Sequence, residues 1–195
     1  MLKFDFIKPR FLAAPLAPIL LSMAPASESA QAGDQPLLSL LDMTLERLQI
    51  ARQVALSKWD SGQPVKDLPR ETEVIRAAAE EARAAGVSTQ LATHFFADQM
   101  EANKLVQYAL LSDWFRAAKA PNEKRLDLRQ DIRPELDRLQ RGFIKALADT
   151  ETLRSRDDCR AQLARAMSSY VSQRALTPLY AVAMERALAR ACDQA

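Results

Sequence analysis

The chain has 195 residues, 48% of them apolar, which is room for one folded domain with a real core and too apolar for a disordered chain. With only 4 glycines and neither GxGxxG nor GxxxxGK[ST], the composition argues against a Rossmann or P-loop nucleotide site. The formal charge of +2 lacks the basic excess of a nucleic-acid binder, and the single histidine, His94, argues against a multi-histidine metal site or a His-based triad.

The N-terminus reads as an export address. MLKFDFIKPR supplies Lys3, Lys8 and Arg10, and the 14-residue apolar stretch FLAAPLAPILLSMA follows, interrupted by Pro15 and Pro18. Ala24-Pro25-Ala26 and Ala30-Gln31-Ala32 then offer small-residue cleavage sites. This layout predicts a secretory signal over residues 1–32, cleaved near Ala26 or Ala32, and a mature domain over 33–195. A membrane anchor would need roughly 20 apolar residues. No other segment is apolar enough to span, so no membrane partner is expected after cleavage.

The remainder predicts six helices. Leu37, Leu41, Leu45, Leu48, Ala55 and Trp59 repeat at helical spacing, so a first helix runs from Gln35 to Trp59 until Ser61-Gly62-Gln63-Pro64 breaks it. Asp67-Leu68-Pro69 starts a second helix that reaches about Ala85 and stops at Gly86. Ser88 caps a third, running through Trp114 to about Ala118. A fourth starts between Asp127 and Asp131 and ends near Asp149, with Pro134 tolerated only in its first turn. Asp157 or Asp158 opens a fifth, ending near Val171, and Thr177-Pro178 opens a sixth, ending near Cys192. No segment alternates like a strand, so the fold class is all-α: a single-domain bundle with a C-terminal helical pair. In an exported chain the two cysteines, Cys159 and Cys192, read as a disulfide joining that pair; two buried free thiols are the alternative.

The informative residues are polar ones inside apolar stripes. On the third helix Asn103 and Gln107 lie one turn apart within the stripe of Phe96, Met100, Leu110 and Trp114. On the first, Arg47 and Lys58 share a stripe with Leu40, Thr44, Ala51 and Val54. Arg133 extends the stripe of Leu136, Leu139 and Phe143, and Arg70 falls in the second helix's first turn. Buried amides and cations need partners. One reading is an internal ion-pair network with Glu46, Asp67, Glu71 or Glu101, or snorkelling at the edges of the faces. The other is a cavity for a small dianion, whose carboxylates arginine forks would grip. His94 reads as a packing or surface residue, Trp59 and Trp114 as core or rim, and Glu123 to Asp131 as a solvated connection.

The ordered set LERLQIARQVALSKW (45–59), Asp67-Leu68-Pro69-Arg70-Glu71, FFADQMEANKLVQY (95–108) and SDW (112–114) resembles the AroQ-type chorismate mutases, in particular their exported subclass. The resemblance runs from about Leu37 to Cys192. It implies an all-helical enzyme that rearranges chorismate to prephenate without a cofactor or a metal, in a site built within one chain. It implies Arg47, Arg70 and Arg133 on the two carboxylates, and Lys58 and Gln107 on the ether oxygen. Asp67 and Glu71 would handle the ring hydroxyl and order the lysine's surroundings. Asn103, where relatives often carry Ser or Thr, would reach a carboxylate. A homodimer is the assembly that the relatives suggest, and the destination is periplasm or medium.

The chemistry suits the residues. A Claisen rearrangement breaks one C–O bond and makes one C–C bond in a single step, with no nucleophile and no proton transfer. It needs a substrate held in a compact conformer, and donors aimed at an ether oxygen that gains negative charge as its bond breaks. The competing functions are a helical periplasmic protein that binds a small dicarboxylate without turning it over, an exported helical chaperone or adaptor, and a pyruvate lyase acting on isochorismate.

Overall fold

The computed structural model describes residues 28–193, and side chains from Pro36 onward. The expected signal segment lies outside this range except for residues 28–32, which are helical. Among the described residues every regular element is a helix: α1 (Glu28–Ser61), α2 (Leu68–Ala84), α3 (Thr89–Arg116), α4 (Arg133–Asp149), the single turn α5 (Glu151–Arg154), α6 (Cys159–Gln173) and α7 (Pro178–Ala187). A π-helical turn, Leu128–Ile132, precedes α4.

Seven helices therefore stand where six are predicted. The extra one, α5, is a four-residue turn, too short to leave a period in the sequence. Helix α1 begins at Glu28 rather than Gln35 and runs through Pro36. The apolar repeat starts only at Leu37, so the turns ahead of it carry no readable signal. Helix α7 stops at Ala187, short of Cys192; the chain then tightens into turns, with Ala191 N–H donating to Leu188 O at 3.0 Å. Those turns bring Cys192 to Cys159, and the disulfide closes between them with Cα atoms 5.9 Å apart.

Helix α3 is the central element and packs on α1, α2 and α7, while α4 packs across α1 and α2. The main core holds Leu41, Leu48, Leu139, Leu147 and Met184, all at 0% exposure. Phe95, Phe96 and Phe143 meet edge-to-face there, with centroids 5.3–6.1 Å apart. A second, smaller cluster at the far end of α1 gathers Ala55, Leu56 and Trp114, with Trp59 set against Trp114 at right angles. Gly142 lets α4 approach α1 closely, since a Cβ there would lie 2.5 Å from Met43 Sδ.

Three helices end in the same Schellman geometry, in which the residue after the cap adopts a left-handed conformation. After α2 that residue is Gly86, at φ 74°. After α3 and α6 it is an alanine: Ala118 at φ 54° and Ala175 at φ 48°. In each case the following N–H reaches back across the last turn, Val87 to Ala82 O, Lys119 to Trp114 O and Leu176 to Val171 O.

Candidate active site

Four helices converge on one cavity of about 190 Å³. Its wall contains Arg47 and Lys58 from α1, Asp67 at the head of α2, Arg70 and Glu71 from α2, Asn103 and Gln107 from α3, and Arg133 from α4. These are the eight residues that the stripes and the resemblance single out. The apolar part of the wall includes Val54, Val74, Met100, Ile132 and Leu136.

Each polar group is delivered by ordinary local structure. Asp67 caps α2: its Oδ1 accepts from Arg70 N–H at 3.2 Å, while Asp67 N–H donates to Glu71 Oε1 at 3.2 Å. This reciprocal pair fixes where Arg70 leaves the helix. Asp127 does the same ahead of α4, its Oδ1 accepting from Arg129 and Gln130 N–H at 2.7 Å each. The π-turn that follows sets the start of α4, where Arg133 sits. Asn103 and Gln107 come from consecutive turns of α3, so they point to the same side.

The electrostatics are unusual for a helical core. Arg47 is 6% exposed, yet no carboxylate pairs with its guanidinium among the described residues, and its Nε has no hydrogen-bond partner. Burial pushes its pKa down to about 10, which leaves it cationic at neutral pH. Lys58 and Arg133 form no ion pair among the described residues, though Arg133 lies near enough to Asp127 to help lower that carboxyl's pKa. The carboxylates that an internal ion-pair network would use are engaged elsewhere. Glu46 pairs with Arg138 on the outer face of α4, at 2.5 Å. Glu71 and Glu101 both hold Lys104, at 2.8 Å each. Of the four predicted cations, Arg70 alone forms an ion pair among the described residues, with Glu73 at 2.7 Å, and that pair is largely exposed.

Lys104 is one of the polar wall residues that the sequence reading missed. It lies beside Asn103 on α3, and its ammonium bridges to α2 through Glu71. Burial works to raise the Glu71 carboxyl, but hydrogen bonds from Lys104 and from the Asp67 main chain hold it below the usual glutamate range. The wall also includes Asp137 and Gln140. Five cations, Arg47, Lys58, Arg70, Lys104 and Arg133, thus face three carboxylates, Asp67, Glu71 and Asp137. Arg70 and Lys104 are also paired with Glu73 and Glu101, so the wall cations that form no ion pair among the described residues are Arg47, Lys58 and Arg133.

Elsewhere the polar residues are structural. Asp98, 1% exposed, is gripped by Arg186 and by Arg190, the latter at 2.7–2.8 Å, which ties α3 to α7 and its following turn. Glu123 to Asp131, read as a solvated connection, is largely exposed and is also tethered to α1: Glu123 binds Arg52 at 2.9 Å and Arg125 binds Asp60 at 2.8 Å.

The chain is similar to known proteins along most of its length. Residues 29–108 match the family described as chorismate mutase type II. The secreted chorismate mutase of Mycobacterium tuberculosis is 32% identical over 183 residues, covering 93% of this chain and 87% of that protein. The secreted chorismate mutase of Mycolicibacterium smegmatis is 29% identical, covering 80% and 86%. Among solved structures, the chorismate mutase from Burkholderia phymatum superposes with a TM-score of 0.79 at 44% identity, over 84% of this chain and 99% of that one. The chorismate mutase from Burkholderia thailandensis does so at 0.77 and 35% identity, over 82% and 100%. With likeness running through nearly the whole folded chain, the chain belongs to the type II chorismate mutases.

Proposed function

We propose that the chain converts chorismate to prephenate in this cavity. Arg47, Arg70 and Arg133 hold the two carboxylates, and Lys58 and Gln107 donate hydrogen bonds to the ether oxygen. The observation that carries the reading is Arg47: a buried guanidinium with no internal counter-ion, on the wall of a cavity, calls for an anionic ligand. Donors already fixed by the fold act on the developing oxyanion without having to reorganise as the bond breaks. Nothing in the reaction asks for a proton to move, and Gln107, which cannot ionise, is a suitable donor. The protein is exported, in keeping with its N-terminal signal layout and with relatives named as secreted enzymes. A homodimer is the assembly we favour from the resemblance.

The test adds chorismate to the purified mature chain, follows its absorbance and identifies the product after acid treatment, beside Arg47→Ala and Gln107→Ala. Prephenate made by wild type, and made about a hundredfold or more slowly by both variants, is the expected result. Release of pyruvate would instead indicate a lyase. Folded, oxidised protein that binds but does not turn over would indicate a dicarboxylate-binding protein.

A further inference from the structure

Two amides in the cavity are interlocked. Asn103 Nδ2 donates to the main-chain carbonyl of Arg47 at 3.1 Å, and Asn103 Oδ1 accepts from Gln107 Nε2 at 2.6 Å. We propose that Asn103 is a positioning residue whose amide, hung on the Arg47 carbonyl, fixes which end of the Gln107 amide carries the donor for the ether oxygen.

The argument rests on polarity. An amide side chain flips between two orientations of nearly the same shape, one presenting N–H₂ and the other an oxygen. A main-chain carbonyl only accepts, so it dictates that the Asn103 nitrogen faces it. That leaves Asn103 Oδ1 facing Gln107, which dictates that the Gln107 nitrogen faces Asn103. Flipping Gln107 would set two acceptor oxygens against each other at hydrogen-bond distance. One N–H of Gln107 is used in this chain and the other is left to donate. The anchor belongs to Arg47, so the residue that would grip a carboxylate also sets the orientation of the residue that would bind the ether oxygen. Both amide ends of Asn103 have protein partners, and a grip on the substrate is not needed to account for it.

This rests on the functional reading above, and a double-mutant cycle separates the two. Asn103→Leu keeps the shape and removes both bonds. We expect kcat to fall about tenfold with KM within about twofold, the size expected for one misdirected hydrogen bond. In a Gln107→Leu background the same change should alter kcat by less than about twofold, because there is no amide left to orient. An equal loss in both backgrounds, or a loss carried mainly by KM, overturns the proposal and returns Asn103 to the substrate. Asn103→Ala, which removes the same two bonds without adding bulk, decides the matter by the same cycle should the leucine variant fail to fold: a kcat loss that persists undiminished in the Gln107→Leu background overturns the proposal. Absence of turnover by the wild-type chain overturns the functional reading, and this one with it.

Discussion

Lys104 Nζ lies 2.8 Å from Glu71 Oε2, an ion pair that clamps α3 to the first turn of α2 on the cavity wall. Both side chains are less than a fifth exposed, so the pair is less screened than the surface bridges around it. Burial disfavours both charges, yet their mutual bonding, with Glu101, holds the Lys104 ammonium above its usual range and the Glu71 carboxyl below its own. A depressed carboxyl stabilises the fold above its unfolded pKa and loses that effect as pH falls through the folded value. A raised ammonium stabilises below its unfolded pKa and loses it only in strong alkali. The clamp is therefore complete at neutral pH and is lost in acid. We expect Lys104→Met to lower stability by about 1–2 kcal/mol in urea titrations at pH 7. The gap to wild type should shrink by pH 3; a gap that stays constant would show that packing, not charge, is what the lysine supplies.

Arg47 sets stability against activity. Its desolvated charge has no counter-ion among the described residues, so Arg47→Met should leave stability unchanged or raise it by about 1 kcal/mol. The same change removes a carboxylate grip and should lower kcat/KM by about a hundredfold or more, corresponding to roughly 3 kcal/mol. Thermal melts and steady-state kinetics on one preparation check both signs. A marked fall in melting temperature would mean that the guanidinium is a structural element.

The neutral amide at position 107 removes a titration from the site. Activity should not collapse between pH 5 and 8. Gln107→Glu replaces the donor with a group that donates only when protonated, and burial with Asn103 Oδ1 close by would raise its pKa. Its kcat should therefore rise as pH falls from 8 to 5, a slope that wild type lacks. A level profile in the variant would argue against hydrogen-bond donation at this position.

Left-handed alanines are a place to gain stability. Ala118, at φ 54°, meets the steric cost of a left-handed residue, about 1–2 kcal/mol, which glycine avoids at an entropic cost of about 0.5–1. Ala118→Gly should stabilise the chain by about 0.5–1 kcal/mol, readable as a higher urea midpoint with an unchanged slope.

The disulfide should matter for endurance and not for chemistry. It spans 33 positions near the C-terminus, and neither cysteine lines the cavity. Cys159→Ser with Cys192→Ser should cost roughly 3–4 kcal/mol by loop closure. Turnover at 25 °C should stay within about twofold of wild type while the double variant remains folded.

The helices were legible because their apolar repeats are long, and Arg47, Lys58, Asn103 and Gln107 because each interrupts such a repeat. Lys104 was not, since it sits one position off the stripe and its aliphatic stem reads as helix surface. Asp98 escaped for a different reason: its partners Arg186 and Arg190 are 88 and 92 positions away, a relation that only the packed bundle creates. The π-turn before α4 and the turns after Ala187 depend on i→i+5 and i→i+3 bonds, for which a sequence carries no period. The strap of Glu123 and Arg125 along α1 looked like a charged loop because charge alone does not reveal its partner.

The wall of the cavity is drawn from α1 to α4 of a single chain. An enzyme released from the cell works at whatever concentration its surroundings leave it. A catalytic centre shared between two copies would come apart as the protein dilutes, and its rate per molecule would fall with it. Here the cations and amides are connected by covalent backbone and stay together at any dilution.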